Sequence, residues 1–323
     1  MTSDDRRTPP PAPASGGAPA GSRNDAPRPG AGSAAPGATP TAPGPAAPGA
    51  ALVCLNGRLV PEREAFVPAL DRAVTHGIGL YETLKLAGGV PVFFTEHMDR
   101  LQAGLDVLEI AAPWDRATIA RAIVELAAAG GIADGGCRVL VTGGAPWSSP
   151  SILIRHDVRE LPTRPLRVIT YRGIRVSGAL KAMTFLQSHL AQRAAAAAGA
   201  DDAIFVDDEG RMFEGATSNI FLARGGGLVT TPAEGAILPG VMRAVLERAA
   251  EASGIPVVEA YGRVADLRPD DAMLLTSSVR GIVAVRSVDD RERRVDNAML
   301  DGLQSLVAGA EQAAAAAFRA TYL

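Results

Sequence analysis

Residues 201–222, DDAIFVDDEGRMFEGATSNIFL, decide the fold class. Ala203-Ile-Phe-Val206 reads as a buried strand. Asp207 to Gly210 carries the residues of a tight turn, and the chain returns as a strand through Asn219-Ile-Phe-Leu222. Working outward, a turn at Gly225 to Gly227 leads into a further short strand, Leu228 to Thr231. Successive strands joined by tight turns predict a meander rather than a doubly wound parallel sheet. The next segment changes period. Met242, Val245, Leu246, Ala249 and Ala250 fall at i, i+3, i+4, i+7 and i+8, which predicts an amphipathic helix over 241–253, stopped by Gly254 and Pro256. Upstream, a strand over 166–171 precedes a helix over 185–198 that ends at Gly199.

The first half alternates strands and helices differently. Leu52 to Val60 reads as a hairpin turning at Asn56-Gly57, the strongest short hairpin signal. In 80–86, Leu80, Leu84 and Leu86 share one parity and Tyr81, Thr83 and Lys85 the other, which predicts a strand with two unlike faces. A helix over 95–109 takes Thr95 as its N-cap, and a second helix over 119–129 closes at Gly130-Gly131. Arg138 to Thr142 and Ser151 to Ile154 read as strands. Residues 1–50 are Pro, Ala, Gly and Ser with almost no large apolar side chain, and are expected to be a disordered tail. The polar, proline-bearing stretch 158–164 is expected to be a linker. The expected fold class is therefore α+β, with a small α+β domain over 51–157 and a larger β-rich domain over 165–323.

Composition narrows the function. With 323 residues and a formal net charge of −3, and without a basic stripe, nucleic acid is not an expected partner. No run of about 18 apolar residues suggests a membrane span, and the first residues have no apolar core of a secretory signal, so a cytoplasmic enzyme is expected. The two cysteines, Cys54 and Cys137, give neither zinc spacing nor a disulfide framework. The four histidines show no metal-ligand spacing, and no phosphate loop, dinucleotide loop or G-x-S-x-G elbow is present.

What remains is an amine. The chain holds 2 lysines, Lys85 and Lys181, against 30 arginines. A lysine that survives such a bias invites a chemical reason. Lysine forms Schiff bases with carbonyl compounds, and pyridoxal phosphate is the usual electrophile. That chemistry needs a partner for the pyridine nitrogen and a cup for the phosphate. Glu214 on a strand could serve the first. The free amides where Leu238-Pro-Gly-Val-Met242 opens a helix could serve the second. Arg100 on the first helix and the hydroxyl-rich Thr276-Ser277-Ser278 could add to it. Each has a plain structural alternative. Arg100 would otherwise pair with Glu96 at i,i+4, Thr276 to Ser278 would be a simple turn, and Lys85 is a competing amine.

The order of these parts resembles the class IV aminotransferases, the fold-type IV pyridoxal phosphate enzymes. The resemblance runs from about 52 to 305 and rests on LNGRLV, HGIGLYETLK, FFTEHMDRL, LKAMTFLQSHLAQRAA, the opening stretch, ILPGVMRAVLERAAEASGIPV and LLTSSVRGIVAVRSVDDR. It implies a two-domain fold like that of D-amino acid aminotransferase, pyridoxal 5'-phosphate as cofactor, an amino-acid-like substrate and a homodimer. By motif, Lys181 resembles the Schiff-base lysine that also moves the substrate Cα proton, and Glu214 the partner of the pyridine nitrogen. Arg100 resembles the phosphate arginine, and Val241, Met242, Ser277 and Ser278 the rest of the phosphate cup. Leu238 resembles the apolar residue backing the ring, and Tyr81 the aromatic facing the substrate. Arg138 is a candidate for a substrate carboxylate.

Departures bear on the reaction. Phe185 stands where branched-chain members of the family carry a tyrosine, and Val141-Thr-Gly-Gly-Ala-Pro146 lacks the arginine and histidine of D-amino acid transaminases. TGG, GVMR and TSSVRG instead resemble 4-amino-4-deoxychorismate lyases of the folate pathway, which release pyruvate and 4-aminobenzoate. The alternative is an amino acid transaminase of branched-chain or D-amino acid type, and a more remote one is a non-catalytic homologue that binds the cofactor.

Overall fold

Asn56 (φ 48°) and Gly57 (φ 82°) both take left-handed backbone, as a two-residue hairpin turn requires, and join β1 (Leu52–Leu55) to β2 (Arg58–Pro61). A short α1 (Arg72–His76), capped by Asp71, leads to β3 (Gly79–Ala87), β4 (Val90–Pro91), α2 (Phe94–Val107), α3 (Arg116–Gly130), β5 (Gly135–Thr142) and β6 (Ile152–Asp157). In this computed structural model the described residues are 51–112, 114–157, 162, 164–175 and 178–323. The expected tail over 1–50 lies outside them, as does the expected linker over 158–164 apart from Pro162 and Arg164.

The six strands form one antiparallel sheet in the order β2-β1-β6-β5-β3-β4. Its core joins Leu84 and Leu86 of β3, Val139 of β5 and Ile154 of β6 to Met98 and Leu105 of α2 and Ile123 and Leu126 of α3. Alternation in β3 is as expected for the leucines, but Glu82 shares their parity and is fully buried among them.

Thr95 does not cap α2. The N-cap is Phe93 at φ 54°, with no side-chain bond, and Thr95 is exposed. Packing explains the difference: the left-handed turn lets Phe93 enter the core of the second sheet while Phe94 enters the first.

The second half contains β7 (Leu166–Arg172), α4 (Leu186–Ala197), β8 (Asp202–Val206), β9 (Met212–Gly215), β10 (Asn219–Arg224), β11 (Gly227–Thr230), α5 (Val241–Ala252), β12 (Val257–Glu259), β13 (Ala272–Ser277), β14 (Gly281–Val288), β15 (Arg291–Glu292) and α6 (Asn297–Tyr322). The sheet order is β12-β11-β10-β13-β14-β7-β8-β9, with β15 on β14. The expected meander is only partly present. β10 pairs antiparallel with β11 and β13, and β13 with β14, but β7 lies parallel to both β8 and β14, and β12 parallel to β11. The parallel β7–β8 pair follows from α4, which carries the chain back between them. The single strand expected after Gly210 is two, β9 and β10, split by a turn.

One face of this sheet packs on α5 through Val245, Leu246 and Ala250, as the helical period predicts. The C-terminal helix α6 was not anticipated. Its Leu303 and Val307 join the core under α5, while Ala315 and Phe318 reach the core of the six-stranded sheet, where the Phe318 ring meets Phe94 edge-on at 5.2 Å. Residues 51–323 accordingly fall within one compact unit. Among the described residues, no helix is long and apolar enough to cross a membrane.

Candidate active site

Between the two sheets, the segment around Lys181 extends the edge of β3. Tyr81 N–H donates to the Lys181 carbonyl at 3.0 Å, and Met183 N–H donates to the Gly79 carbonyl at 3.0 Å. This short pairing fixes Lys181 opposite Tyr81, and its Nζ sits 4.9 Å from the centre of the Tyr81 ring. The Phe185 ring meets Tyr81 edge-on at 6.5 Å. Burial pushes the Lys181 amine down to about 7, with the positive charge of Arg100 acting in the same direction. A lysine so placed is in substantial part a neutral nucleophile near neutral pH. Lys85 lies outside the cleft that Lys181 lines, with its Nζ 2.7 Å from Glu311 of α6.

Lys181 faces a cleft of about 540 Å³ that also holds Tyr81, Arg100, Glu214, Leu238, Val241, Met242, Ser277 and Ser278. Residues from distant parts of the chain thus converge on one space. Arg138 is not among them. It lines an adjoining outer cleft of about 700 Å³ that shares Tyr81, Lys181, Ser277 and Ser278, and its Nε donates to Asp157 at 2.9 Å.

Two buried carboxylates serve the inner cleft: Glu214 lines it, and Glu82 holds Arg100, which lines it. Glu82 receives Arg100 Nε at 2.8 Å and Nη2 at 2.7 Å, while His97 Nδ1 lies 2.7 Å from the same carboxylate. Arg100 Nη1 donates to the Pro239 carbonyl at 2.8 Å. Arg100 does not pair with Glu96, whose nearest cation is Arg248 at 3.9 Å. Burial alone would raise the Glu82 carboxyl, but Arg100 and His97 outweigh it and hold it well below the carboxylate range. Burial pushes His97 down. Glu214 accepts from Arg175 Nε at 2.7 Å and from Leu238 N–H at 3.0 Å. Here burial prevails and raises the carboxyl, with Arg175 opposing it.

The cleft is rich in unspent donors. α5 has no side-chain cap at Gly240, so the amides of Val241 and Met242 face the cleft from a bare helix start. The buried Thr276 hydroxyl, near the end of β13, has no partner. A Cβ at Gly240 would collide with Asn219 Oδ1, so a side chain there would displace the Asn219 amide. Free helix amides, an orphaned hydroxyl and a nearby guanidinium suit a phosphate. The Glu214 carboxylate in the same cleft lining, with lone-pair capacity beyond its two bonds, suits a protonated ring nitrogen.

The family model for "Amino-transferase class IV" matches residues 79–288, the span that holds every residue named in the lining of the two clefts. The chain belongs to the class IV aminotransferases. These are pyridoxal phosphate enzymes acting on small amino acid substrates, and the cleft of this class IV aminotransferase has the donor set that the cofactor needs. A putative branched-chain-amino-acid aminotransferase of Methanocaldococcus jannaschii is 31% identical over 258 residues, covering 74% of this chain and 88% of the relative. An aminodeoxychorismate lyase of Bacillus subtilis is 25% identical over 255 residues, covering 74% and 87%. The solved branched-chain aminotransferase of Thermoproteus uzoniensis superposes with a TM-score of 0.74 at 25% identity, over 82% of this chain and 96% of that one.

Three residues of this class IV aminotransferase escaped the sequence reading, and the local structure of a fourth was misread. Glu82 had a visible signal, an acid on the leucine parity of β3. His97 had one too, three residues before Arg100 on α2 and so on the same side of the helix. Arg175 had none, because it lies in an irregular stretch among 30 arginines. Thr276 was read as part of a turn, whereas it lies on β13, one residue before its end, and supplies the buried hydroxyl of the trio that lacks a partner.

Proposed function

We propose that the protein is a pyridoxal phosphate-dependent 4-amino-4-deoxychorismate lyase that releases pyruvate and leaves 4-aminobenzoate. The observation that carries this reading is the outer cleft. It is about 700 Å³, opens beside Lys181, and is lined by Arg138, Arg280, Gln192, Thr83 and the rings of Tyr81 and Phe185. Such a wall suits a ring bearing carboxylates better than an aliphatic side chain.

In this reading Lys181 holds the cofactor, Glu214 and Arg175 lie at its ring nitrogen, and Leu238 backs the ring. Arg100, Val241, Met242, Thr276, Ser277 and Ser278 hold the phosphate. Bound there, pyridoxal phosphate supplies an electron sink for the charge that develops at the substrate carbon. Lys181 Nζ takes the proton from Cα, the substrate carbon that carries the amine. The electron pair left behind forms the new ring double bond and expels the ether oxygen from Cβ, and the ring becomes aromatic. Tyr81 and Phe185 wall the lysine from solvent. Burial raises the Tyr81 hydroxyl, so it stays protonated and leaves the base role to Lys181. Dimerisation, carried over from the family resemblance, and a cytoplasmic location, expected from composition, belong to the same proposal.

A transaminase of branched-chain or D-amino acid type is the second reading, favoured by the Methanocaldococcus relative. Purified enzyme is given aminodeoxychorismate and pyruvate is followed. Pyruvate release in step with 4-aminobenzoate is expected. No pyruvate from aminodeoxychorismate, with glutamate formed in a separate assay from 2-oxoglutarate and leucine or D-alanine, hands the case to the transaminase. Borohydride reduction should fix the cofactor to Lys181, read by peptide mass.

A further inference from the structure

The turn from β13 to β14 serves two clefts. Ser278 opens it and lines both, while Arg280 closes it and lines only the outer one. Gly281 (φ +73°) follows at once and lets the chain reverse into β14. Arg280 is nearly buried, with 14% of its side chain exposed, yet its Nε and Nη1 have no hydrogen-bond partner. The nearest acid is Asp202 Oδ2, at 3.6 Å from Nη1, which is ion-pair range without a hydrogen bond.

Asp202 is already committed elsewhere. It sits buried on β8, accepts from Ala203 N–H at 2.9 Å, and has the Ser218 hydroxyl at 3.5 Å. The other acid at the outer cleft, Asp157, is engaged by Arg138. Against that single lining acid stand Arg138, Arg280 and Lys181. A guanidinium short of acceptors in a dry wall is costly unless an anion completes it. The geometry supplies a place for that anion, because the guanidinium belongs to a cleft that Lys181 also faces.

We propose that Arg280 forms a carboxylate subsite of the outer cleft, which selects substrates carrying a carboxylate remote from the amine that reacts at Lys181. This rests on the reading of Lys181 as the reacting lysine and of the outer cleft as the substrate space. It does not depend on whether the reaction is elimination or transamination. A fork-shaped guanidinium meets a carboxylate through two parallel bonds, which an ammonium cannot reproduce.

The test is calorimetric binding of glutarate and of pentanoate, acids of equal chain length with two carboxylates and one, to the full-length, cofactor-loaded protein. Glutarate should bind about tenfold more tightly than pentanoate. Arg280→Gln should abolish that preference while keeping the cofactor absorbance of the parent, and Arg280→Lys should retain only part of it. Equal affinity of the parent for the two acids overturns the proposal, and needs no variant to fold. A preference that survives Arg280→Gln overturns it as well. A failed pyruvate assay beside an intact glutarate preference strikes the lyase reading alone.

Discussion

The carboxylate that lines the inner cleft and the one that holds Arg100 make a controlled comparison. Glu82 and Glu214 are both buried on strands, and each receives an arginine at 2.7 Å. Their acidities nevertheless move apart, Glu82 down and Glu214 up. Burial is the same sort of penalty at both. The difference lies in the company each keeps. Glu82 takes two guanidinium bonds and a histidine ring on a single carboxylate. Glu214 takes one guanidinium bond and one backbone amide. A carboxylate that is saturated with donors is a fixed anchor, here for Arg100. One that keeps spare lone pairs and a raised affinity for a proton suits a partner that shares a proton with it.

The largest effect expected from breaking this comparison is at Glu214. Glu214→Gln should cut kcat by roughly 10²–10³-fold, the usual loss on removing one preorganised electrostatic partner of the reacting centre. Cofactor content should be nearly unchanged, as measured by absorbance after gel filtration. If kcat is preserved, Glu214 is an ordinary buried residue. At Glu82 the damage should fall on stability. Glu82→Gln keeps the shape but leaves Arg100 and His97 buried without an anion, at a cost of about 3–5 kcal/mol. Urea denaturation of the parent and the variant measures it, and the loss of Arg100 alignment should also weaken cofactor uptake. A variant as stable as the parent would show that the cluster is not an anchor.

The effect expected to be smallest at any single pH step reads the amine of Lys181. Lys181 is lowered from 10.5 to about 7 in the folded protein. Between these values the unfolded chain holds a proton that the folded chain has released. The cofactor-free protein should therefore gain stability as pH rises from about 7 to about 10.5, by at most about 1.4 kcal/mol per pH unit. Lys181→Met should remove this part of the slope. Denaturation midpoints measured across that range check it, and parallel slopes in the two proteins would show that Lys181 is not depressed.

Much of the site was legible in the chain because its chemistry is local in sequence. Lysine scarcity singled out Lys181, and the helix start at Val241 announced free amides. The hairpin at Asn56-Gly57 and the amphipathic period of α5 were equally plain, because each depends on neighbours a few residues apart. What failed depended on distant partners. The meander gave way to parallel pairings because β7, β8 and β14 are brought together from well-separated stretches. Thr95 looked like a cap, but burial of Phe93 and Phe94 in two different cores set the start of α2. The Arg100–Glu96 pair was the local choice, and the buried Glu82 outcompeted it, because a dry carboxylate binds a guanidinium more strongly than a solvated one.

The sequence by itself determined the family and the cofactor, and it set Lys181, Glu214 and the helix start at Val241 in order along the chain, since motifs fix residue types and their order. Tertiary structure alone decided which arginine meets which carboxylate: Arg100 on Glu82, Arg175 on Glu214, Arg138 on Asp157, and Arg280 short of a partner. In a chain with 30 arginines, composition cannot rank them. Electrostatic pairing in a dry cleft is settled by distance and by the number of donors around each acid, and neither exists until the two sheets have closed on each other.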